Sequence, residues 1–226
     1  MTAPQLVLAD EPAPRSLADR AYQLLVAKIT RHELPPGAVL VEKALMEDLG
    51  IGRTPIREAL QRLAMEGLVT HLPKRGMLVA DITATGVQHI YEFRGLIDGC
   101  TARLAASRAT EADARELAAL QVGLIRATED DDIDRYVALD RRFYEVLARA
   151  AQNTYIAEAV PRIFNLHLRL WFFIANRRGT WHDIARAHEV MTACVVEAVS
   201  QRDPEAAERA MTTYITGRHS DIRELL

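Results

Sequence analysis

The stretch from Gly50 to Leu63 constrains this chain most, because a single helix there would carry cations on one side and aliphatic side chains on the other. The aliphatic side repeats at i, i+4 and i+7 and consists of Ile56, Leu60 and Leu63. The opposite side repeats at i, i+4 and i+8 and consists of Arg53, Arg57 and Gln61. Such a helix can pack on a core and still offer arginines to a partner.

The residues just before this helix predict a helix-turn-helix. A short helix over 40–49 ends at Gly50, which suits a left-handed turn. Gly52 or Thr54 can cap the arginine helix, and Pro55 is tolerated because it falls in the first turn.

The outer flanks predict one more helix and a hairpin. Ser16 opens the additional helix, and its apolar stripe consists of Leu17, Ala21, Leu24, Leu25 and Ile29. Downstream, two short strands over 67–72 and 77–80 enclose a basic turn. Three helices followed by a basic hairpin form a winged helix.

Several segments match one family pattern in order and spacing. They are Leu34-Pro35-Pro36-Gly37, Leu49-Gly50-Ile51, the run from Arg53 to Leu60, Leu63, Glu66-Gly67-Leu68-Val69 and Arg75-Gly76. This region resembles the DNA-binding domain of GntR-type bacterial transcription factors, and a match in several parts is more specific than any single short motif. Most members carry Ser or Thr just before the arginine, whereas this chain has Gly52, which removes a side-chain cap.

Together with the helix pattern, the resemblance implies a DNA-binding surface. The residues expected at the major groove or its phosphates, and then in the wing, are Lys43, Arg53, Thr54, Arg57, Gln61, Arg75 and Gly76. The competing interpretation pairs Arg57 with Glu58 or Glu66. Adjacent helical residues do not face each other, however, and Glu66 lies more than two turns away.

The charge distribution is compatible with DNA binding despite a net charge of −3. Residues 1–80 hold 10 basic and 9 acidic side chains, whereas residues 81–226 hold 18 and 22. Between Arg53 and Arg75 there are five cations and two acids. Local charge decides phosphate contacts, so the acidic balance of the second half is no obstacle.

Length and composition indicate two domains. A chain of 226 residues with 49% hydrophobic content can form two cores. We expect a disordered tail over 1–15, a winged helix-turn-helix DNA-binding domain over 16–81, and an all-helical effector-binding and dimerisation domain over 82–226.

Two further features predict a cytoplasmic protein without a membrane partner. Cys100 and Cys194 lie far apart and form no disulfide framework, which favours a reducing compartment. No segment approaches the roughly 18 apolar residues of a spanning helix.

The second half of the chain is predicted to be helical throughout. Gly and Pro are sparse after residue 83, Ala, Leu, Arg and Glu dominate, and no alternating strand pattern occurs. Six helices are expected at about 83–108, 110–128, 132–151, 153–176, 181–201 and 203–225, with caps at Thr110, Asn153 and Asp203. The predicted fold class is therefore mainly α, an N-terminal winged helix-turn-helix followed by a C-terminal all-α antiparallel bundle.

Polar side chains fall inside the apolar stripes of these helices. They are Arg94, Asp140, Tyr144, His167, His188, Thr192 and Tyr214. Buried charges on different helices are costly unless they meet one another, water or a ligand. Convergence on one effector-binding cavity is one explanation. The alternative is that Arg94 pairs with Asp98, that a neighbouring helix satisfies Asp140, and that the histidines are ordinary core residues.

A second resemblance refines this prediction. Four groups of residues look like the FCD effector domain of the FadR subfamily. They are Tyr91-Glu92-Phe93-Arg94, the run from Leu139 to Tyr144, Ala151-Gln152-Asn153, and the run from Val195 to Val199 with Asp203, Ala206, Ala207 and Met211. Many members bind a divalent metal through one Asp and three His. Asp140 is retained, but Tyr144, Thr192 and Tyr214 stand where the three His are expected.

The expected cofactor is therefore none, because phenols and a hydroxyl are poor ligands for zinc or nickel. A rearranged divalent-metal site of Asp140, His167 and His188 is the alternative. We predict a ligand-responsive bacterial transcriptional regulator, a repressor, that binds a palindromic operator as a homodimer and takes a small organic acid or similar metabolite as effector. The competing hypothesis is an all-helical metabolite-converting or metal-dependent enzyme with an accessory winged helix.

Overall fold

The computed structural model describes residues 16–225. The chain divides into two compact units, with the division between Ile82 and Thr83. The tail expected to be disordered, residues 1–15, lies outside the described residues. Within residues 16–225, no helix is both long enough and apolar enough to cross a membrane.

The first unit is a winged helix. Its elements are α1 (Leu17–Thr30), α2 (Glu42–Leu49), α3 (Arg53–Met65), β1 (Val69–Leu72) and β2 (Gly76–Val79). Ser16 caps α1 by accepting a hydrogen bond from the Asp19 N–H, and Gly50 ends α2 in the left-handed region at φ 63°. Gly52 occupies the N-cap position of α3 without a side-chain cap.

The hairpin pairs β1 with β2 in antiparallel register from Val69 opposite Val79 to Leu72 opposite Gly76. The prediction that the second helix begins at residue 40 was wrong. The Leu40 N–H instead donates to the Met77 carbonyl at 2.8 Å, so this residue belongs to the link that joins the hairpin.

The stripe predicted for α1 was wrong at two positions. Ala21, Leu25 and Ile29 are fully buried, but Leu17 is 58% exposed and Leu24 is 36% exposed. Leu17 is the first residue of its helix, and Leu24 lies at the edge of the buried stripe, one residue before the fully buried Leu25.

Over the described residues 83–225, the second unit consists of six helices. They are α4 (Ala84–Arg108), α5 (Glu111–Glu129), α6 (Ile133–Ala150), α7 (Thr154–Arg178), α8 (His182–Gln201) and α9 (Pro204–Arg223). The expected caps are present, since Thr110 forms a capping box with Asp113, and the side chains of Asn153 and Asp203 accept from the first turns of α7 and α9. The predicted mainly α fold class is confirmed.

Helix α4 contacts α6, α7, α8 and α9 and therefore lies within the bundle. It packs most extensively on α9, where a Cβ at Gly99 would lie 2.9 Å from Thr212 Oγ1 and would force a shift. The core is mainly aliphatic and aromatic. It also buries a set of polar residues from five helices: Arg94, Asp98, Asp140, His167, His188, Thr192 and Tyr214.

Candidate functional site

The arginine-bearing face of α3 is exposed. Ile56, Leu60 and Leu63 are buried in the first unit, and the other side of the helix presents Arg53, Thr54, Arg57 and Gln61 to solvent. Hydrophobic spacing alone thus fixes which side of α3 meets the core, and it leaves the cationic side available for a partner.

Both arginines of this face contact Glu42, the first residue of α2. Arg57 Nε donates to Glu42 Oε1 at 2.7 Å, and Arg53 Nε lies 3.7 Å from Glu42 Oε2. The sequence had suggested Glu58 or Glu66 as partners for Arg57. Glu66 instead accepts hydrogen bonds from Tyr22 at 2.6 Å and from Arg62 at 3.2 Å.

The other predicted DNA-binding residues are also exposed. Lys43 lies on α2 with its Nζ 3.9 Å from Glu47 Oε1. Arg75 and Gly76 are at the turn of the hairpin, where Lys74 and Gly76 both have positive φ. All seven predicted residues thus belong to solvent-facing parts of the first unit.

In the second unit, Arg94 is 1% exposed and lies at the centre of a polar cluster. Its Nε donates to Asp98 Oδ2 at 2.8 Å and its Nη2 donates to the Tyr144 hydroxyl at 3.1 Å. The Asp98 pairing that the sequence left open is thus present. The third nitrogen, Nη1, is buried and has no hydrogen-bond partner among residues 16–225.

Asp140 and His188 form a second buried pair. His188 Nε2 lies 3.1 Å from Asp140 Oδ1, which is within ion-pair range, although the two atoms are not aligned as a hydrogen bond in the described structure. The other ring nitrogen, Nδ1, is 2.9 Å from the Tyr136 hydroxyl. Sequence reasoning missed Tyr136, and the available signal was its position one turn before Asp140 on α6.

The remaining predicted residues differ in whether their polar atoms have hydrogen-bond partners. Thr192 donates its hydroxyl to the Glu189 carbonyl of its own helix at 3.0 Å. The Tyr214 hydroxyl and His167 Nδ1 are buried and have no hydrogen-bond partner within the described part of the chain.

A small, partly open cavity of about 10 Å³, with room for about one water molecule, adjoins part of this cluster. Its polar wall is formed by Arg94, Asp98, Tyr144 and His167, and its apolar wall by Val160, Ile163 and Phe164. His188 continues the cluster beyond the cavity, because its ring stacks on Tyr144 with centroids 6.1 Å apart and meets Tyr214 edge-on at 5.5 Å. The structure therefore brings Arg94, Tyr144 and His167 to one cavity and links Tyr214 to them through His188.

Burial sets the protonation states in this cluster. It lowers the pKa of His167 well below 6.5, and the positive charge of Arg94 lowers it further, so the imidazole is neutral. Burial likewise raises the pKa of Tyr144 and Tyr214 well above the ordinary phenol value. Burial also raises the pKa of Asp98, although Arg94 opposes this by stabilising the carboxylate. The phenols and the imidazole are thus neutral hydrogen-bonding groups.

The donor set does not match a metal site. Residues 16–225 contain no group of three or more His, Cys, Asp or Glu side chains placed to share one ion. Asp140 and His188 are neighbours, but His167 does not join them in such a group. The metal content of the protein stays a prediction.

An exposed arginine helix in a winged helix, followed by a six-helix bundle with a polar cavity, defines a two-domain DNA-binding regulator. Comparison with known families agrees with this class. The model of the bacterial regulatory proteins of the gntR family matches residues 17–79, and the FCD domain model matches residues 89–217, more than half of the 226-residue chain. The chain belongs to the GntR family of transcriptional regulators and carries an FCD domain.

Individual relatives support the same assignment. The chain is 26% identical over 204 residues to the HTH-type transcriptional repressor RspR of Escherichia coli, covering 90% of this chain and 88% of that protein. It is 26% identical over 200 residues to a probable D-xylose utilization operon transcriptional repressor of Paenarthrobacter nicotinovorans, covering 88% and 86%. The family to which the chain belongs is one of transcriptional regulators, so the enzyme hypothesis is wrong.

A solved structure shows the same fold. Escherichia coli McbR/YncC superimposes with a TM-score of 0.76 at 20% identity, covering 93% of this chain and 98% of that chain. At this identity the likeness concerns the fold alone.

Proposed function

We propose that this regulator is a cytoplasmic repressor that binds a palindromic operator as a homodimer and changes its DNA affinity when a small organic acid enters the FCD domain. The repressor assignment is supported by the two relatives that are named repressors. Two winged helices on a two-fold axis double the phosphate contacts and read two half-sites, which a single small domain cannot do.

The observation that carries the effector proposal is a set of unsatisfied polar atoms deep in the FCD domain. Three of them, each from a different helix, lack any polar partner within residues 16–225: Arg94 Nη1, His167 Nδ1 and Tyr214 OH. Asp140 Oδ1 and His188 Nε2 lie 3.1 Å from each other but do not form a hydrogen bond. Each such group costs about 1–3 kcal/mol if it stays unpaired. A polar ligand that bonds to several of them recovers this free energy on binding.

The chemistry of the cavity favours a small acid. At the cavity, Arg94 Nη1 can donate a hydrogen bond to a carboxylate, and neutral His167 can donate or accept one. The Tyr214 hydroxyl, which does not line the cavity but contacts His188, offers a further donor in the same cluster. The cavity of about 10 Å³ has room for about one water molecule, so even a small acid enters only if the surrounding side chains move apart, which favours a ligand of few heavy atoms.

A thermal-shift screen of organic acids, sugar acids and amino acids tests this proposal. A ligand at 100 times its dissociation constant should stabilise the folded state by about 2.7 kcal/mol, which raises the melting temperature measurably. A hit is then added to an operator titration, where the proposal requires a changed DNA affinity. If no compound that binds the protein changes its DNA affinity, the proposal that the ligand regulates DNA binding is contradicted.

Tyr214→Phe is the sharpest test of the site, because the deleted hydroxyl has no partner among the described residues and so contributes no bond to the fold. We expect the variant to melt at or above the wild-type temperature and to bind the effector about 3–10-fold more weakly, the value of one hydrogen bond. Tyr155→Phe is the matched control, since Tyr155 is 82% exposed on α7. Equal effector affinity in both variants would place the ligand elsewhere.

The DNA-binding part is tested on α3. Arg53→Ala and Arg57→Ala should each weaken operator binding by about 1–3 kcal/mol, because both side chains lie on the exposed face and can reach guanine edges or phosphates. Binding should also weaken steeply with salt. Wild-type affinity in both variants at moderate salt would contradict this assignment.

We also propose that the protein carries no resident transition metal. The proposal is supported by Tyr144, Thr192 and Tyr214 at positions where imidazoles are expected, since zinc and nickel prefer nitrogen and sulfur ligands. Elemental analysis should find less than stoichiometric metal, and a chelator should leave the melting temperature unchanged. One zinc or nickel per chain that is lost in His167→Ala or His188→Ala would instead establish the rearranged site.

A further inference from the structure

Glu42 forms a carboxylate bridge between the two arginines of the exposed α3 face. Its Oε1 accepts from Arg57 Nε at 2.7 Å, and its Oε2 lies 3.7 Å from Arg53 Nε. The arginine side chains remain 57% and 63% exposed, so the bridge lies on the surface proposed to meet DNA. Without Glu42, two guanidinium groups one helical turn apart would repel each other.

The bridge orients Arg57 for base recognition. Arg57 bonds to Glu42 through Nε, so its two terminal nitrogens stay available for a further partner. Two parallel N–H donors match the O6 and N7 acceptors of guanine in the major groove. Holding the side chain by Nε reduces the conformational entropy that is lost when this contact forms.

The same carboxylate opposes binding to arbitrary DNA. Non-specific binding consists almost entirely of contacts between cations and phosphates. Glu42 cancels one of the two positive charges of the arginine pair and brings a negative charge toward the phosphates. Contacts that depend only on charge are therefore weakened, whereas a guanine edge is still read through hydrogen bonds.

We infer that Glu42 is a specificity-determining residue, which acts through Arg57 and lowers the affinity for arbitrary DNA more than the affinity for the recognised sequence. The inference rests on the proposed role of α3 in DNA binding and goes beyond it, because it assigns a function to an acidic residue on α2.

The test compares two duplexes of equal length, one enriched by the wild-type protein from a randomised pool and one with its sequence scrambled. Glu42→Gln should bind the scrambled duplex roughly fivefold more tightly, which corresponds to removing one nearby like charge in water. The affinity for the enriched duplex should increase less. The specificity ratio, which is the affinity for the enriched duplex divided by that for the scrambled duplex, should therefore fall. The slope of log K against log salt should become steeper by about 1.

Glu33→Gln is the matched control, since it makes the same charge change in the same unit but removes a pairing with Lys28 at 3.5 Å. It should leave the specificity ratio unchanged. In an Arg57→Ala background, measured at low salt, Glu42→Gln should no longer change the ratio, because the residue acts through Arg57.

Glu42→Asp provides a second variant that keeps a helix-favouring charge at the start of α2 but shortens the reach to Arg57. The specificity ratio of Glu42→Asp should also fall, because this variant should bind the enriched duplex more weakly. An unchanged or increased ratio in Glu42→Gln, or an equal decrease in Glu33→Gln, overturns the inference. If Arg57→Ala itself binds both duplexes like the wild type, the assignment of α3 has failed instead.

Discussion

At the scale of single residues, the FCD domain keeps a complete ion pair inside its helical core. Arg94 and Asp98 are one turn apart on α4, their atoms are 2.8 Å apart, and both side chains are almost fully buried. Removing two charges from water is expensive, and their mutual attraction repays that cost only with good geometry and further hydrogen bonds. The Tyr144 hydroxyl supplies one of these bonds to Arg94.

Breaking this pair should be far more damaging than replacing it. Arg94→Met should lower the free energy of unfolding by about 3–5 kcal/mol, because the Asp98 carboxylate is left buried and uncompensated. The double variant Arg94→Met/Asp98→Leu should recover most of this loss. Urea unfolding followed by tryptophan fluorescence reports on the FCD domain alone, since both tryptophans of the chain, Trp171 and Trp181, lie in it. A double variant no more stable than the single one would contradict the ion-pair argument.

His167 makes the stability of the FCD domain sensitive to pH. Its pKa is lowered well below 6.5 by burial, so the unfolded state takes up a proton at a higher pH than the folded state. Stability is therefore unaffected above pH 6.5 and decreases as the pH falls below it, by about 1 kcal/mol between pH 6.5 and 5.5. His167→Gln should remove this part of the pH dependence. Parallel stability profiles of the variant and the wild type over this range would refute the prediction.

At the scale of elements, two glycines on α4 allow the effect of helix packing to be measured apart from the effect of helix propensity. Gly99 faces α9, where a Cβ would lie 2.9 Å from Thr212 Oγ1, whereas a Cβ at Gly95 would meet no atom of the described residues within 4 Å. Close approach between α4 and α9 therefore depends on the first glycine and not on the second.

Alanine at these two positions should change the stability of the FCD domain in opposite directions. Gly95→Ala should stabilise the FCD domain by about 0.5–1 kcal/mol, because alanine restricts the unfolded chain and favours helix. Gly99→Ala should cost about 1–3 kcal/mol, because the added methyl separates the helices. Thermal unfolding of the two variants side by side gives the comparison, and equal stabilisation by both would show that Thr212 simply rotates away.

The elements themselves were largely predictable because their signals are local. Capping side chains at Ser16, Thr110, Asn153 and Asp203 mark helix starts, and the spacing of aliphatic residues fixes the buried face. The start of α2 was not predictable in this way, because the Leu40 N–H bonds to Met77 of the hairpin, 37 positions later in the chain. A contact of that range leaves no trace in a local pattern.

At the scale of the whole molecule, the site residues could be predicted from local patterns, whereas their partners on other helices could not. Periodicity indicated that Arg94, Asp140 and His167 face inward, because that follows from helix geometry. It could not give the partners of Asp140 or Arg57, which are His188 on α8 and Glu42 on α2. Such pairs depend on how helices are placed in three dimensions, and several acidic residues satisfy the sequence equally well.

The proposed homodimer needs a surface, and the solvent-facing side of α4 offers one. Phe93, Leu96 and Cys100 are exposed at i, i+3 and i+7, and Leu96 is 77% exposed. An exposed apolar stripe on a helix is typical of a protein interface. We expect the second copy of the chain to cover it, because two DNA-binding domains must be held together to read a palindrome.

Leu96→Glu should therefore convert the dimer to monomers, since it places two buried carboxylates at the centre of the interface. Operator affinity should fall by about 10²–10⁴-fold as the second half-site loses its tether, with helix content unchanged. Val190→Glu is the control, because Val190 is a 66% exposed aliphatic residue on α8. Sedimentation equilibrium gives the masses and an operator titration the affinities. A dimeric Leu96→Glu beside a monomeric Val190→Glu would move the interface to α8, and a wild type that is already monomeric when bound to its operator would refute the dimer itself.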